Sequence, residues 1–174
     1  LPVVEQEELN TAFTLGIFPR LCADYEGIAA HCGDLAVAFN VYAQDLGCDN
    51  FVRQLLCAVS DGIIDANKIQ VELTESTAAT GSAMLERNVQ ALTEAGIALV
   101  MDDFGTGYSS LDTLRSLPFS AVKIDQGVVK EMMISQRSAA VVHAGIRLAH
   151  ELNVISVAEG IESQEVYDTL QRYG

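Results

Sequence analysis

The sequence predicts an α/β fold, because short apolar runs recur along the chain and segments long enough for helices separate them. In addition, a polar residue lies at the end of each apolar run. Interpreted as strands, the runs cover residues 35–42, 68–74, 97–102, 120–125 and 154–158. Strands that alternate with helices pair in parallel, so we expect five βα units without an internal domain boundary.

Two of the intervening helices carry an apolar stripe at helical spacing. In the helix between the second and third strands, the stripe residues are Leu85, Val89 and Leu92. In the helix before the fifth strand, they are Val141, Gly145, Leu148 and Leu152. The first of these helices is expected to begin after an N-cap at Ser82 and to stop at Gly96.

Alternation along the strands brings a polar residue to the carboxyl end of each one. In strand order these residues are Asn40, Glu72, Asp102, Lys123 with Asp125, and Glu159. From Asn40 to Glu159, successive strand-end carboxylates or amides are 23 to 34 residues apart, about one βα unit each. This pattern is typical of a parallel (β/α) barrel, whose active sites lie at the carboxyl ends of the strands.

Composition limits the classes of partner. A formal net charge of −14 and the absence of any basic run disfavour binding to a nucleic-acid polymer or an anionic membrane. A phosphate-bearing ligand stays compatible with this charge, because bound divalent cations invert the field of a carboxylate cluster. No apolar run is long enough to span a bilayer, so we expect a cytoplasmic domain, with anchoring segments elsewhere in a full protein left open.

The four cysteines do not indicate a zinc site or a redox motif. They are Cys22, Cys32, Cys48 and Cys57. Their spacing contains no CxxC pair, and we expect reduced, buried thiols.

The strand-end carboxylates admit a structural and a functional interpretation. A single aspartate such as Asp103 often caps a helix, and Lys123 alone could be a salt-bridging cation. Burying Glu72, Asp102 and Asp125 together costs several kcal/mol per charge unless cations, protonation or a lysine neutralise them. The set as a whole therefore predicts a metal-binding site.

Four segments of the chain form ordered motifs. They are Glu72-Leu73-Thr74-Glu75-Ser76, the run from Asp102 to Ser110, Lys123-Ile124-Asp125, and Ala158-Glu159-Gly160-Ile161-Glu162. Together they resemble the EAL family of bacterial cyclic di-GMP phosphodiesterases. The resemblance implies a modified TIM (β/α) barrel that hydrolyses cyclic di-GMP to linear pGpG with two Mg²⁺ or Mn²⁺ ions and is inhibited by Ca²⁺.

The resemblance also implies roles for individual residues. The implied metal ligands are Asn40, Glu72, Asp102, Asp103, Asp125 and Glu159. The implied catalytic residues are Lys123 and Glu159, with Lys123 orienting or deprotonating the attacking water. A loop of Phe104, Gly105, Thr106 and Gly107, steadied by Glu162, is implied to couple the metal site to a homodimer interface. A solvated residue in the first turn of a helix is the alternative interpretation of Glu162.

The chain also departs from the family pattern. Residues 1–174 contain no Glu-Ala-Leu segment and stop before a glutamine-bearing motif, so we expect a partial EAL domain with an incomplete barrel. This portion alone is expected to be weak or inactive, and the full protein to carry a sensory or GGDEF domain.

Three interpretations of function stay open. The first is an active phosphodiesterase, favoured by the intact carboxylate and lysine set. The second is a catalytically inactive cyclic di-GMP receptor or protein-interaction module. The third, an unrelated metal-dependent barrel enzyme, explains the carboxylates but not the order of the motifs.

Overall fold

The computed structural model describes residues 10–32, 36–74, 83–107 and 110–174. Helices and strands alternate along them, which makes the fold class α/β, as predicted. In chain order the elements are α1 (Asn10–Cys32), β1 (Val37–Val41), α2 (Ala43–Leu46), α3 (Asp49–Ser60), a 3₁₀ turn (Ala66–Lys68), β2 (Ile69–Thr74), α4 (Ala83–Glu94), β3 (Ala98–Phe104), α5 (Ser110–Ser116), β4 (Ala121–Ile124), α6 (Gln126–Glu131), α7 (Gln136–Glu151), β5 (Ile155–Ala158) and α8 (Gln164–Tyr173).

All five predicted strands are present, with small differences at their ends. The predicted strand start at Leu35 and the predicted cap at Ser82 lie outside the described residues. Gly96 follows α4 with a φ of 91°, so the predicted helix stop is confirmed. Strand β3 continues to Phe104, two residues past its predicted end.

The chain divides into two compact units, and the first consists of Leu1–Leu73 with Thr80–Leu99. Its strands β1 and β2 pair in parallel. The register places Asn40 opposite Glu72, so the polar ends of these two strands are aligned.

The core of the first unit is organised around Phe18 of α1. Its ring meets the rings of Phe39 and Phe51 edge-on, with centroid distances of 5.6 and 6.3 Å, an arrangement that aromatic pairs favour. On α4, Leu85, Val89 and Leu92 are buried, which confirms the predicted stripe. Buried Asn88 on the same helix donates from Nδ2 to the carbonyl oxygen of Leu46 at 2.8 Å, so the burial of this amide is compensated.

The second unit, Thr74–Ala79 with Val100–Gly174, contains β4, β5 and most of β3. The strands run parallel, and β4 pairs with β5 in a regular register. Between β3 and β4 the register shifts, since Met101 faces Val122 but Phe104 faces Ile124. Strand β3 thus holds one extra residue, a β-bulge at Asp102 and Asp103.

Helix α7 buries a different face from the predicted one. Its buried residues are Ser138, Val142, Gly145, Ile146 and Ala149. Of the predicted stripe only Gly145 is buried, and Leu152 is 43% exposed. A Cβ at position 145 would lie 2.7 Å from Cε1 of Phe104, so close packing of this ring against the helix backbone sets the helix rotation.

The cysteine prediction is correct in part. All four thiols are free, but Cys32 and Cys57 are exposed, and Cys22 and Cys48 are only half-buried. Burial raises the pKa of the Cys22 thiol. Within the described ranges, no helix is both long and apolar enough to cross a membrane.

The buried face of α7 can be tested with two aliphatic residues of similar size. We expect Ile146→Ala to lower the free energy of unfolding by about 2–5 kcal/mol, because Ile146 is 5% exposed and its truncation leaves a cavity. The matched control Leu152→Ala should cost about 1 kcal/mol or less. Urea unfolding followed by circular dichroism measures both, and equal losses would contradict this packing.

Candidate functional site

Lys123 lies at the centre of a charge cluster formed near the carboxyl ends of β3, β4 and β5. Its Nζ is 3.1 Å from Oδ1 of Asp102 and 2.8 Å from Oε1 of Glu159. The side chains of Lys123 and Asp102 are only 18% and 13% exposed. Because water has limited access, these ion pairs are screened less than pairs on an open surface.

Backbone hydrogen bonds hold the strand ends that carry these side chains. The N–H of Asp125 donates to the carbonyl oxygen of Phe104, and the N–H of Glu159 donates to that of Ile124, both at 3.2 Å. The parallel ladder therefore continues just past β4 and β5, and it fixes where Asp125 and Glu159 leave the sheet.

Asp102 has an unsatisfied oxygen. Its Oδ1 is buried and accepts no hydrogen bond from any described residue, although Nζ of Lys123 is close. The two observations are compatible, since ion-pair attraction depends on distance whereas a hydrogen bond also requires alignment. A buried carboxylate oxygen with unused lone pairs is suited to binding a cation.

The bulge in β3 sets the conformation of Asp103. This residue has a φ of 57°, a left-handed conformation that aspartate tolerates better than most residues. Thr106 closes the turn, with its N–H and its Oγ1 donating to the carbonyl oxygen of Asp103 at 3.3 and 2.9 Å. Strand alternation would point consecutive side chains to opposite faces, and the bulge interrupts that alternation.

The pKa of Asp103 reports crowded negative charge around it. Burial raises this pKa most, and repulsion from Asp102, Asp125 and Glu159 raises it further. Lys123 acts in the opposite direction. An added cation would relieve the remaining repulsion.

Asp125 has a structural role as well as a position in this cluster. Its Oδ1 caps α6 by accepting from the N–H groups of Gly127 at 2.9 Å and Val128 at 3.2 Å. From the sequence, helix capping is the structural interpretation of a strand-end aspartate. That interpretation applies at Asp125. A carboxylate has a second oxygen, so capping and metal binding are compatible.

Asn40 and Glu72 belong to the first unit. They are register partners on β1 and β2, so their side chains leave the same face of this strand pair. Glu72 is 7% exposed, a degree of burial that is rare for a glutamate.

The predicted coupling loop, Phe104 to Gly107, lies within the described residues, whereas Tyr108 and Ser109 after it do not. Phe104 packs on α7, and Gly105 has a φ of 98°, with space for a Cβ limited by Val141 at 3.2 Å. Glu162 forms an ion pair with Lys130 at 2.7 Å. The pairing with Lys130 was not evident in the sequence, because the two residues come from different βα units.

Two carboxylates of this cluster contact Lys123, and the described acidic side chains do not converge on a common point. Within the described ranges, no three acidic, histidine or cysteine side chains converge closely enough to hold a metal ion. The Nζ of Lys123 instead lies within ion-pair distance of both Asp102 and Glu159. The individual metal-ligand roles of the six predicted residues stay predictions.

The sequence has matches both among protein families and among curated proteins. A family model for the EAL domain matches residues 1–174. The cyclic di-GMP phosphodiesterase RocR of Pseudomonas aeruginosa is 36% identical over 165 residues, which are 95% of this chain and 42% of RocR. The chain thus spans less than half the length of this curated relative.

Solved structures show the same likeness. The PaMucR phosphodiesterase in complex with c-di-GMP has a TM-score of 0.86 at 30% identity, covering 99% of this chain and 70% of that one. Klebsiella pneumoniae BlrP1 in a manganese and cyclic di-GMP complex has a TM-score of 0.80 at 28% identity, covering 96% and 42%. BlrP1 was also solved with calcium and cyclic di-GMP. EAL domains have a TIM-barrel-like fold, so the predicted fold class is confirmed.

The raised pKa of Asp103 leads to a prediction about stability. The folded protein binds this proton more tightly than the unfolded chain, so stability falls as pH rises from the ordinary aspartate pKa through the raised one. We expect Asp103→Asn to increase the melting temperature in EDTA at pH 7, and the gain to shrink toward zero as pH falls to the ordinary pKa.

Differential scanning fluorimetry between pH 3.5 and 8 measures this effect. Asp61→Asn, at an exposed position, controls for removing one of many negative charges. A gain that is independent of pH, or one matched by the control, would contradict the crowding of charge at Asp103.

Proposed function

Because this chain belongs to the EAL domain family, we propose that it is the catalytic domain of a metal-dependent phosphodiesterase that hydrolyses cyclic di-GMP to linear pGpG. The observation that carries the proposal is the contact of Lys123 with both Asp102 and Glu159 at the strand ends. The relatives support the choice of substrate, since RocR is a cyclic di-GMP phosphodiesterase and PaMucR was solved with that ligand.

The donor set fits a hard divalent cation. The proposed ligands are Asn40, Glu72, Asp102, Asp103, Asp125 and Glu159. All of them offer oxygen, the element that Mg²⁺ and Mn²⁺ prefer, and the unsatisfied Oδ1 of Asp102 is a ready ligand. When bound, two such ions would activate a water, neutralise the phosphodiester and stabilise the leaving oxygen.

Calcium is proposed to occupy the same site without supporting turnover. The manganese and calcium complexes of BlrP1 support the presence of a divalent cation beside cyclic di-GMP in this family. Calcium accepts more ligands at longer distances than magnesium, which loosens the geometry that in-line attack requires.

Lys123 is proposed to orient the attacking water rather than to remove its proton. An ammonium group donates hydrogen bonds and has no lone pair to accept a proton, and Lys123 forms ion pairs with two carboxylates in this form. Glu159 accepts from Lys123 at 2.8 Å and so fixes the direction of the ammonium group. We propose that this positive charge also offsets the negative charge of a substrate phosphate.

We extend the proposal to the full protein. A homodimer coupled to the site through the loop from Phe104 to Gly107, and an attached sensory or GGDEF domain, are expected of it. Pseudomonas aeruginosa MucR, a bifunctional diguanylate cyclase and cyclic di-GMP phosphodiesterase, supports the second expectation.

A second candidate function is a cyclic di-GMP receptor without catalysis. It is favoured by Lys123, which lies within ion-pair distance of two of the carboxylates and offsets part of their charge without a metal ion. Binding of cyclic di-GMP without hydrolysis by the full-length protein, saturated with Mn²⁺, would select this candidate.

The enzyme proposal predicts a metal-dependent reaction of the full-length protein. We expect Mg²⁺ or Mn²⁺ to support conversion of cyclic di-GMP to pGpG and EDTA to abolish it. Lys123→Ala and Asp102→Asn should each lower kcat/KM by about 10²–10⁴-fold, because they remove a group that positions or activates the water.

Chromatographic detection of pGpG measures these rates. Arg147→Ala, which removes an exposed cation from α7 in the same unit, is the matched control and should stay within about twofold of the wild type. Unchanged turnover by Lys123→Ala would remove Lys123 from the mechanism.

A further inference from the structure

The backbone at Gly160 comes unusually close to helix α6. A Cβ at this position would lie 2.7 Å from Cβ of Gln126, 3.3 Å from its Cα and 3.4 Å from Cε of Lys130. Gly160 also has a φ of 69°, which disfavours residues that carry a Cβ. Backbone conformation and available space therefore both require glycine here.

This contact joins the immediate neighbours of two site carboxylates. Gly160 follows Glu159, whose carboxylate meets Lys123 at 2.8 Å. Gln126 follows Asp125, whose Oδ1 caps α6. The approach of Gly160 to Gln126 thus acts together with the backbone ladder on the separation of the backbone positions that carry Glu159 and Asp125.

A second contact, an ion pair between the same two segments, holds them together only weakly. Lys130 of α6 pairs with Glu162 at 2.7 Å, but the two side chains are 46% and 74% exposed. Exposed ion pairs are weak because water and salt screen them. The close backbone approach at Gly160 is therefore the stronger constraint on the segment that leaves β5.

We propose that Gly160 is a positioning residue for the carboxylate cluster: lacking a side chain, it lets the segment after β5 approach α6 and hold Glu159 against Lys123. Restoring ordinary contact from 2.7 Å would move this segment by about 1 Å. The expected effect on catalysis rests on the proposed function. The expected effect on the distance between Glu159 and Lys123 does not.

Gly160→Ala tests this role in the full-length protein. We expect kcat/KM for cyclic di-GMP to fall by about 10²-fold, the effect of a displacement of this size at a reacting centre. Affinity for Mn²⁺, measured by isothermal titration calorimetry without substrate, should weaken about tenfold or more.

Gly62 provides a matched control. It has the same φ of 69°, but a Cβ there would meet nothing within 4 Å. Gly62→Ala therefore introduces the same backbone strain without the steric contact. It should lower the melting temperature and leave Mn²⁺ affinity and kcat/KM unchanged.

A double substitution separates steric displacement from general damage. Gln126→Gly removes the nearest atom that a side chain at position 160 would strike. We expect Gly160→Ala with Gln126→Gly to recover at least tenfold of the lost kcat/KM. A merely destabilising effect of Gly160→Ala would not be rescued by a second glycine at the start of a helix.

Crystal structures of the wild type and Gly160→Ala give a readout that is independent of turnover. The separation of Lys123 Nζ and Glu159 Oε1 should increase beyond hydrogen-bond distance in the variant. An unchanged separation, or a loss of Mn²⁺ affinity no larger than that of Gly62→Ala, would overturn the positioning role. A wild type without hydrolysis would overturn the proposed function alone, since the structures still decide the role of Gly160.

Discussion

Mutual repulsion of carboxylates near one lysine is the constraint on which the arrangement of the second unit depends. Asp102 and Glu159 come from different strands, and each lies within ion-pair distance of Lys123. One ammonium group cannot neutralise every acid there: burial raises the pKa of Asp103 most, and repulsion from the neighbouring carboxylates raises it further. The strand ends are therefore held together by backbone hydrogen bonds and core packing, against an electrostatic force that separates them.

The same region contains three strained features of the second unit. Asp103 has a positive φ, β3 bulges, and an oxygen of Asp102 is buried without a hydrogen bond. Such features persist only where the surrounding structure determines them, and they concentrate at functional sites. Here the support comes from the packing of Phe104 on α7 and from the ladder that fixes Asp125 and Glu159.

Much of the fold was predictable because it depends on local patterns. Strand positions followed from apolar runs bounded by polar residues, and the burial of Leu85, Val89 and Leu92 followed from their helical spacing. The face of α7 was not predictable, since apolar residues occupy two adjacent stripes and a contact with Phe104, distant in sequence, decides between them.

The positions of the polar side chains at strand ends were predictable, but their geometry was not. Alternation placed Lys123, Asp125 and Glu159 at strand ends correctly, yet it assumes a regular strand, and the bulge at Asp102 and Asp103 breaks that assumption. The only signal for the bulge was the pair of consecutive aspartates before a glycine-rich turn. Pairing of Lys130 with Glu162 depends on tertiary structure and had no signal in the sequence.

The helix cap at Asp125 affects how members of this family can be compared. An aspartate that begins α6 has a structural reason to be retained even in a protein that has lost catalysis. Its presence is therefore weak information about whether a given member is an active enzyme. Asp102 caps no helix: its Oδ1 accepts no hydrogen bond from any described residue and has Lys123 at ion-pair distance instead. Under the proposed function, the identity of position 102 therefore separates enzymes from receptors better than that of position 125.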